Sequence, residues 1–278
     1  MRTRFLLISL LAAAVAAIAV TPALAATGRT KPAWYTKAFH QKVIAAGAQG
    51  VKVGDEQLNL DCPGVQTAGV SAAACIVAPA GCTANFIYTD GSSQYIGTAR
   101  HCVDSIGQEV VMQVDTTTLA SVGTVAKMTS GEGVPGKDVA LIRIDPAVAA
   151  KWGVNPAVPV VGGPNGIYTG CGSVGVKYYG HGYGVAVAQG KPEAGLATNW
   201  HDDGYGWTGF GAPGDSGSPV LTADGLAAGN FTHLIVDTGD YLGSDHAGMR
   251  ITRILQVTGT RLVNADGSTT GPASTSCG

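Results

Sequence analysis

Charge is scarce in this sequence. Asp, Glu, Lys and Arg make up 13% of the 278 residues, the formal net charge is −2, and Lys and Arg nowhere form a run. A phosphate-binding surface needs clustered cations, so no nucleic-acid partner is expected. Past the first 25 residues no stretch reaches the roughly 18 uninterrupted apolar residues of a membrane span. No two cysteines have the C-x-x-C spacing of a structural zinc site.

Glycine, by contrast, is abundant at 41 residues, and the apolar runs between glycines are short. That pattern predicts an all-β chain with many tight turns. The first residues form a separate unit. Arg2 and Arg4 give a positive start, residues 5–20 are apolar, and Ala23-Leu24-Ala25 is a small-x-small cleavage site. Residues 1–25 therefore read as a secretory signal peptide, and the mature chain as a secreted, extracellular protein without membrane association, expected to be a monomer. All six cysteines follow that segment, and an even count in an exported chain predicts three disulfides. Spacing alone leaves the pairing of Cys62, Cys75, Cys171 and Cys277 open.

Residues 26–74 carry no motif and read as an amino-terminal extension or propeptide, with helical composition at residues 37–46. Residues 83–88 and 95–99 flank the turn-forming Thr89-Asp90-Gly91-Ser92-Ser93 and read as a hairpin that runs straight into His101 and Cys102. Further strands are expected at residues 108–114 and 120–127, and in the strongly apolar stretch 139–144, whose mouth holds Asp138. Residues 171–179 and 183–188 read as a second hairpin, bent at Gly180-His181-Gly182, with His181 on the surface. Strands follow at residues 226–237 and 247–252. Ile254, Leu255 and Leu262 mark a short terminal helix, although the surrounding glycine and threonine count against it. The polar tail 266–278 ends at Cys277, which is expected to tether it.

The richest stretch is Gly211-Ala212-Pro213-Gly214-Asp215-Ser216-Gly217-Ser218-Pro219. It reads as a glycine-bracketed surface turn that presents Ser216. Gly214 and Gly217 take backbone angles other residues avoid, and the N–H groups of Gly214 and Ser216 can converge beside the hydroxyl as an oxyanion hole.

Gly214-Asp215-Ser216-Gly217-Ser218-Pro219 resembles the nucleophile loop of chymotrypsin-like serine peptidases, with Ser218 where the family has glycine. Thr98-Ala99-Arg100-His101-Cys102 resembles the same family's histidine motif, with Arg100 as the departure. The run from Asp138 through Leu141 resembles its aspartate motif. The order His101, Asp138, Ser216 is that of these enzymes, whereas α/β-hydrolases run Ser, Asp, His and subtilisins Asp, His, Ser. The Gly-x-Ser-x-Gly pattern also fails at Ser218. Across residues 81–252 the resemblance implies two six-stranded antiparallel barrels with the active site in the cleft between them, inside a peptidase domain at residues 75–265.

It further implies His101 as base, Asp138 as its orienting acid with Asp104 and Asp145 as competitors, and Ser216 as nucleophile. The substrate would be a polypeptide, and no metal or cofactor is needed. A bond between Cys82 and Cys102 is implied, as is a primary specificity pocket around Phe210, His233 and Gly248. Without an acid at Phe210 or Gly248, cleavage after Arg or Lys is disfavoured. No Ile-Val-Gly-Gly terminus is available to order the loop, so Asp215 must find another partner. The alternatives are a non-catalytic secreted binding protein on the same scaffold, or an esterase.

Overall fold

The computed structural model describes residues 31–54, 62, 68–131, 133–182, 192–234 and 241–277. The leader and the 183–188 arm of the second hairpin lie outside the described residues.

The apolar run at 140–144 shows how the fold is arranged. In a strand, alternate side chains face opposite sides. Ala140, Ile142 and Ile144 enter one buried cluster with Ile76, Ile96, Val110, Met112 and Val122. Val139 and Leu141 enter another, with Ile251, Ile254, Leu255 and Leu262. Both faces of the strand are covered except at Arg143, which is exposed, so the rest of it is apolar.

This strand, Ala140–Ile144, pairs antiparallel with Gln94–Thr98 on one side and with Thr118–Met128 on the other. Thr118–Met128 pairs with Glu109–Gln113, which pairs with Cys75–Ala78. Residues 82–89, with the short strands Cys82–Thr83 and Ile87–Thr89 at their two ends, close the ring. Ala84 N donates to Ala74 O at 2.9 Å at one end, and Asn85 N donates to Gly97 O at 2.7 Å at the other.

A second ring runs Pro219–Thr222, Val174–Tyr179, Pro192–Trp200, Gly204–Gly209 and His246–Met249. Residues 227–234 close it. Phe231 N donates to Ser218 O and Thr232 N to Ala247 O, each at 2.9 Å. Its core is an aromatic ladder in which Trp200, Tyr205 and Trp207 stack at 4.8 and 5.3 Å. The chain thus folds as two six-stranded antiparallel barrels, the all-β architecture expected.

Three α-helices accompany them among the described residues. Ile251–Thr258 is the expected terminal helix, with Ile251, Ile254 and Leu255 buried. It begins where strand had been expected to residue 252. Pro146–Trp152 was not expected, although Asp145 accepts from Ala147 N as an N-cap ahead of a proline at the first helical position. Lys37–Ala46, capped by Thr36, belongs to the amino-terminal extension. That extension packs Tyr35, Val43, Val51 and Val53 on Val77, Val111 and Leu119 of the first barrel. Val51 pairs with Leu119 across strands, and Cys62 is bonded to Cys75.

Candidate active site

The hairpin strand Gln94–Thr98 ends in a 3-10 turn, Arg100–Cys102, that carries His101. A disulfide between Cys82 and Cys102 pins this turn to the start of the same hairpin. Arg100 turns its guanidinium to the Val103 carbonyl, at 2.7 Å. Another 3-10 turn, Pro135–Lys137, delivers Asp138 at the mouth of the neighbouring strand, whose Ala140 pairs with Thr98. Asp138 Oδ2 lies 2.7 Å from His101 Nδ1, and its Oδ1 accepts the His101 backbone N–H at 3.1 Å. One carboxylate therefore fixes both the ring and the main chain of the histidine. Asp138 has no solvent exposure and the His101 side chain retains 5%. Nε2 of His101 is buried without a hydrogen-bond partner among the described residues.

The two competing acids are engaged elsewhere. Asp104 is exposed and exchanges hydrogen bonds with Gln108, and Asp145 caps its helix.

Ser216 sits in the turn before the Pro219–Thr222 strand of the second barrel. Its carbonyl accepts Thr83 N at 2.9 Å and lies 3.8 Å from Cys102 Sγ, next to the histidine turn. The approach is main chain to main chain. At Gly217, φ is +94°, and an added Cβ would stand 2.1 Å from Thr83 O and 2.4 Å from Thr98 Oγ1. Gly214 has φ +103°, and its carbonyl accepts from Thr83 Oγ1 at 2.8 Å. Contrary to the surface turn read from the sequence, Ser216 has no solvent exposure. The glycines that free the turn also let it sink against Thr83 and Thr98.

Asp215 finds its partners in the main chain. It accepts from Gly182 N at 2.7 Å and Ala212 N at 2.8 Å, with the Tyr178 hydroxyl at 3.5 Å. Burial pushes its carboxyl up to about 7, and the two N–H bonds oppose that shift. His181, read as a surface residue, is 1% exposed. Its backbone N–H donates to Thr83 Oγ1, and its Nε2 lies 2.7 Å from Ala73 O, because the bend is packed between the two barrels.

Of the residues expected to form the specificity pocket, His233 and Gly248 are neighbours, since His233 pairs with Ala247 across strands. Phe210 is 63% exposed. Gly248 lies inside a strand pair, where a Cβ would meet Asn230 O at 1.7 Å. His233 is buried, with Nδ1 2.7 Å from Thr232 Oγ1. Burial lowers its pKa, while Asp138 acts in the opposite direction. Three residues escaped the sequence reading. Asn230 donates to the Asp138 carbonyl at 2.9 Å and accepts Met249 N at 3.0 Å. Tyr178 spans Phe210 O and Asp215. His246 stacks on Trp207 beneath Gly211. A lone Asn, Tyr or His in a strand carries no local signal of such roles.

Cys82, His101 and Cys102 bring potential ligand atoms within 4.8 Å of one another, but both sulfurs are spent in the disulfide and offer no thiolate. A hollow of about 720 Å³ around Arg143 and Asp145 contains none of these residues, whereas one of about 200 Å³ adjoins His101.

No protein-family model and no curated protein matches the chain. Among solved structures it is similar to Protease A of Thermobifida fusca, at 22% identity over 70% of this chain and 98% of that one, with a TM-score of 0.46. It is also similar to a glutamic acid specific serine protease, at 20% identity over 69% and 98%, TM-score 0.44. An alpha-lytic protease homolog, N4, stands at 19% over 69% and 98%, TM-score 0.45. These neighbours are serine proteases of the chymotrypsin-like kind.

Proposed function

We propose that this protein is a secreted serine endopeptidase that cleaves polypeptides through an acyl-enzyme. The observation that carries the reading is the double grip of Asp138 on His101. It fixes the Nδ1–H tautomer and leaves Nε2 as the basic nitrogen. His101 takes the Ser216 proton as the hydroxyl attacks a peptide carbonyl. Asp138 stabilises the imidazolium. The N–H groups of Gly214 and Ser216 meet the oxyanion. His101 then protonates the departing amine, and water releases the acyl group from Ser216. The positively charged leader and three disulfides support export.

The test is labelling by a serine-directed fluorophosphonate, a reagent that must itself reach the buried hydroxyl. One label is expected on Ser216, with loss of peptidase activity. The Ser216→Ala variant should neither label nor turn over. Absence of label on folded native protein, or peptidase activity in Ser216→Ala, overturns the mechanism.

A further inference from the structure

The 200 Å³ hollow beside His101 is built from two parts of the chain that are remote in sequence. Lys31 and His40 come from the amino-terminal extension, and Asp104 and Glu109 from the first barrel. His101 and Cys102 form its inner end, and no residue of the 211–217 nucleophile turn borders it. The hollow therefore adjoins the group that protonates the departing amine and lies away from the oxyanion donors. It is smaller than the roughly 300–1,000 Å³ typical of free small-molecule sites, and suits a single side chain.

The lining is unevenly charged. Two carboxylates face one ammonium, because His40 is shifted toward its neutral form by burial, reinforced by Lys31 and opposed by Glu109. Tyr35 holds the His40 ring, with the hydroxyl 3.0 Å from Nδ1. Each carboxylate already accepts a hydrogen bond, Asp104 from Gln108 Nε2 at 2.7 Å and Glu109 from Ser121 Oγ at 2.8 Å. A carboxylate offers about four lone-pair sites, so both keep capacity for a cationic donor. The extension that supplies the opposite wall is fixed by the Val51–Leu119 pairing, by Trp152 Nε1 donating to Ala48 O at 2.7 Å and by the Cys62–Cys75 bond.

We infer that Lys31 and His40 of the extension, with Asp104 and Glu109 of the barrel, form a subsite that receives a basic side chain from the departing half of the substrate. The inference rests on the peptidase reading above. In that reading the departing amine and an added amine use the same space. The amine nitrogen attacks the acyl ester on Ser216 and gives a proton to His101, an amide forms, and the serine oxygen leaves taking that proton from His101.

The experiment is acyl partitioning in the full-length folded protein. Ser216 is acylated with p-nitrophenyl acetate, argininamide or leucinamide is added, and mass spectrometry measures N-acetyl amide against acetate. Argininamide is expected to capture the acyl group about threefold better than leucinamide, the scale of a half-exposed ion pair. Glu109→Gln should bring the ratio toward one, and Lys31→Glu, at an exposed position, should raise it. Failure to form any acetyl-enzyme sinks the peptidase reading itself. An acetyl-enzyme that treats the two amines alike overturns the subsite. A ratio that responds to Glu109→Gln but not to Lys31→Glu removes the extension from it.

Discussion

Asp138 and Asp215 are both buried carboxylates, yet their surroundings differ. Asp138 is matched to an imidazole, whereas Asp215 has main-chain N–H groups and a tyrosine. Asp138→Asn keeps the shape but puts an amide donor where His101 needs an acceptor, favouring the wrong tautomer. A loss of about 10⁴ in turnover is expected, or about 5 kcal/mol of transition-state stabilisation. Asp104→Asn and Asp145→Asn should each cost less than about tenfold. Steady-state kinetics on the three variants checks the assignment, and a collapse at Asp104 or Asp145 with Asp138→Asn intact refutes it.

Asp215 makes a second prediction, in stability. Its folded pKa is raised, so between about pH 4 and pH 7 the native state holds a proton that the unfolded chain releases. Native stability is then lost as pH rises through that window and is level above it. At about 1.4 kcal/mol per pH unit the effect is at most about 4 kcal/mol. Asp215→Asn removes it, so urea unfolding at pH 4.5 and 7.5 should show a smaller loss toward pH 7.5 in the variant. His246, lowered to about 4 by burial, acts in the opposite sense, costing stability as pH falls from about 6.5 to 4. It is common to both proteins and cancels in the comparison. Equal slopes in the two proteins would show that Asp215 is ionised throughout.

The turn that carries Ser216 is an element on which the two barrels meet, through Thr83 N and Ser216 O. Gly217 and Gly91 have nearly the same positive φ, +94° and +93°. A Cβ at Gly91 meets nothing within 4 Å, whereas one at Gly217 strikes Thr83 O. Gly91→Ala should cost only the conformational term, about 1–2 kcal/mol. Gly217→Ala adds overpacking of about 1–3 kcal/mol and pushes Ser216 off the histidine turn. Thermal melts and turnover separate the two effects: both variants lose stability, and only Gly217→Ala loses activity. Retained activity in Gly217→Ala would mean that the turn tolerates displacement from Thr83.

Over the whole molecule, the extension covers the outer face of the first barrel. Deleting residues 1–53 would expose Val77, Val111 and Leu119, now almost fully buried. Burying each such side chain is worth about 1.5–3 kcal/mol, so a loss of about 5 kcal/mol is expected, a large part of a typical domain's stability. Denaturant unfolding of the truncated chain measures it. Unchanged stability would mark the segment as dispensable to the fold.

The local chemistry was legible in the sequence. His101, Asp138 and Ser216 stand out because each lies in a short motif whose turn or strand is formed by its own neighbours. The short apolar runs also pointed to the strands, and the glycines to most of the turns, since both depend on backbone sterics within a few residues. Tertiary structure decided what depends on contacts between distant segments. Cys62 pairs with Cys75 and Cys171 with Cys277 because folding brings those backbones together. His181 and Ser216 are buried because Thr83, 98 and 133 residues away, accepts or donates at their main chains. Asn230 reaches the Asp138 carbonyl across 92 residues, and Lys31 meets Glu109 in one hollow only because the extension lies along the barrel. A one-dimensional pattern carries the preferences of a residue and its near neighbours. Which carbonyl, sulfur or carboxylate faces it from the other barrel is set only when the two rings close and dock.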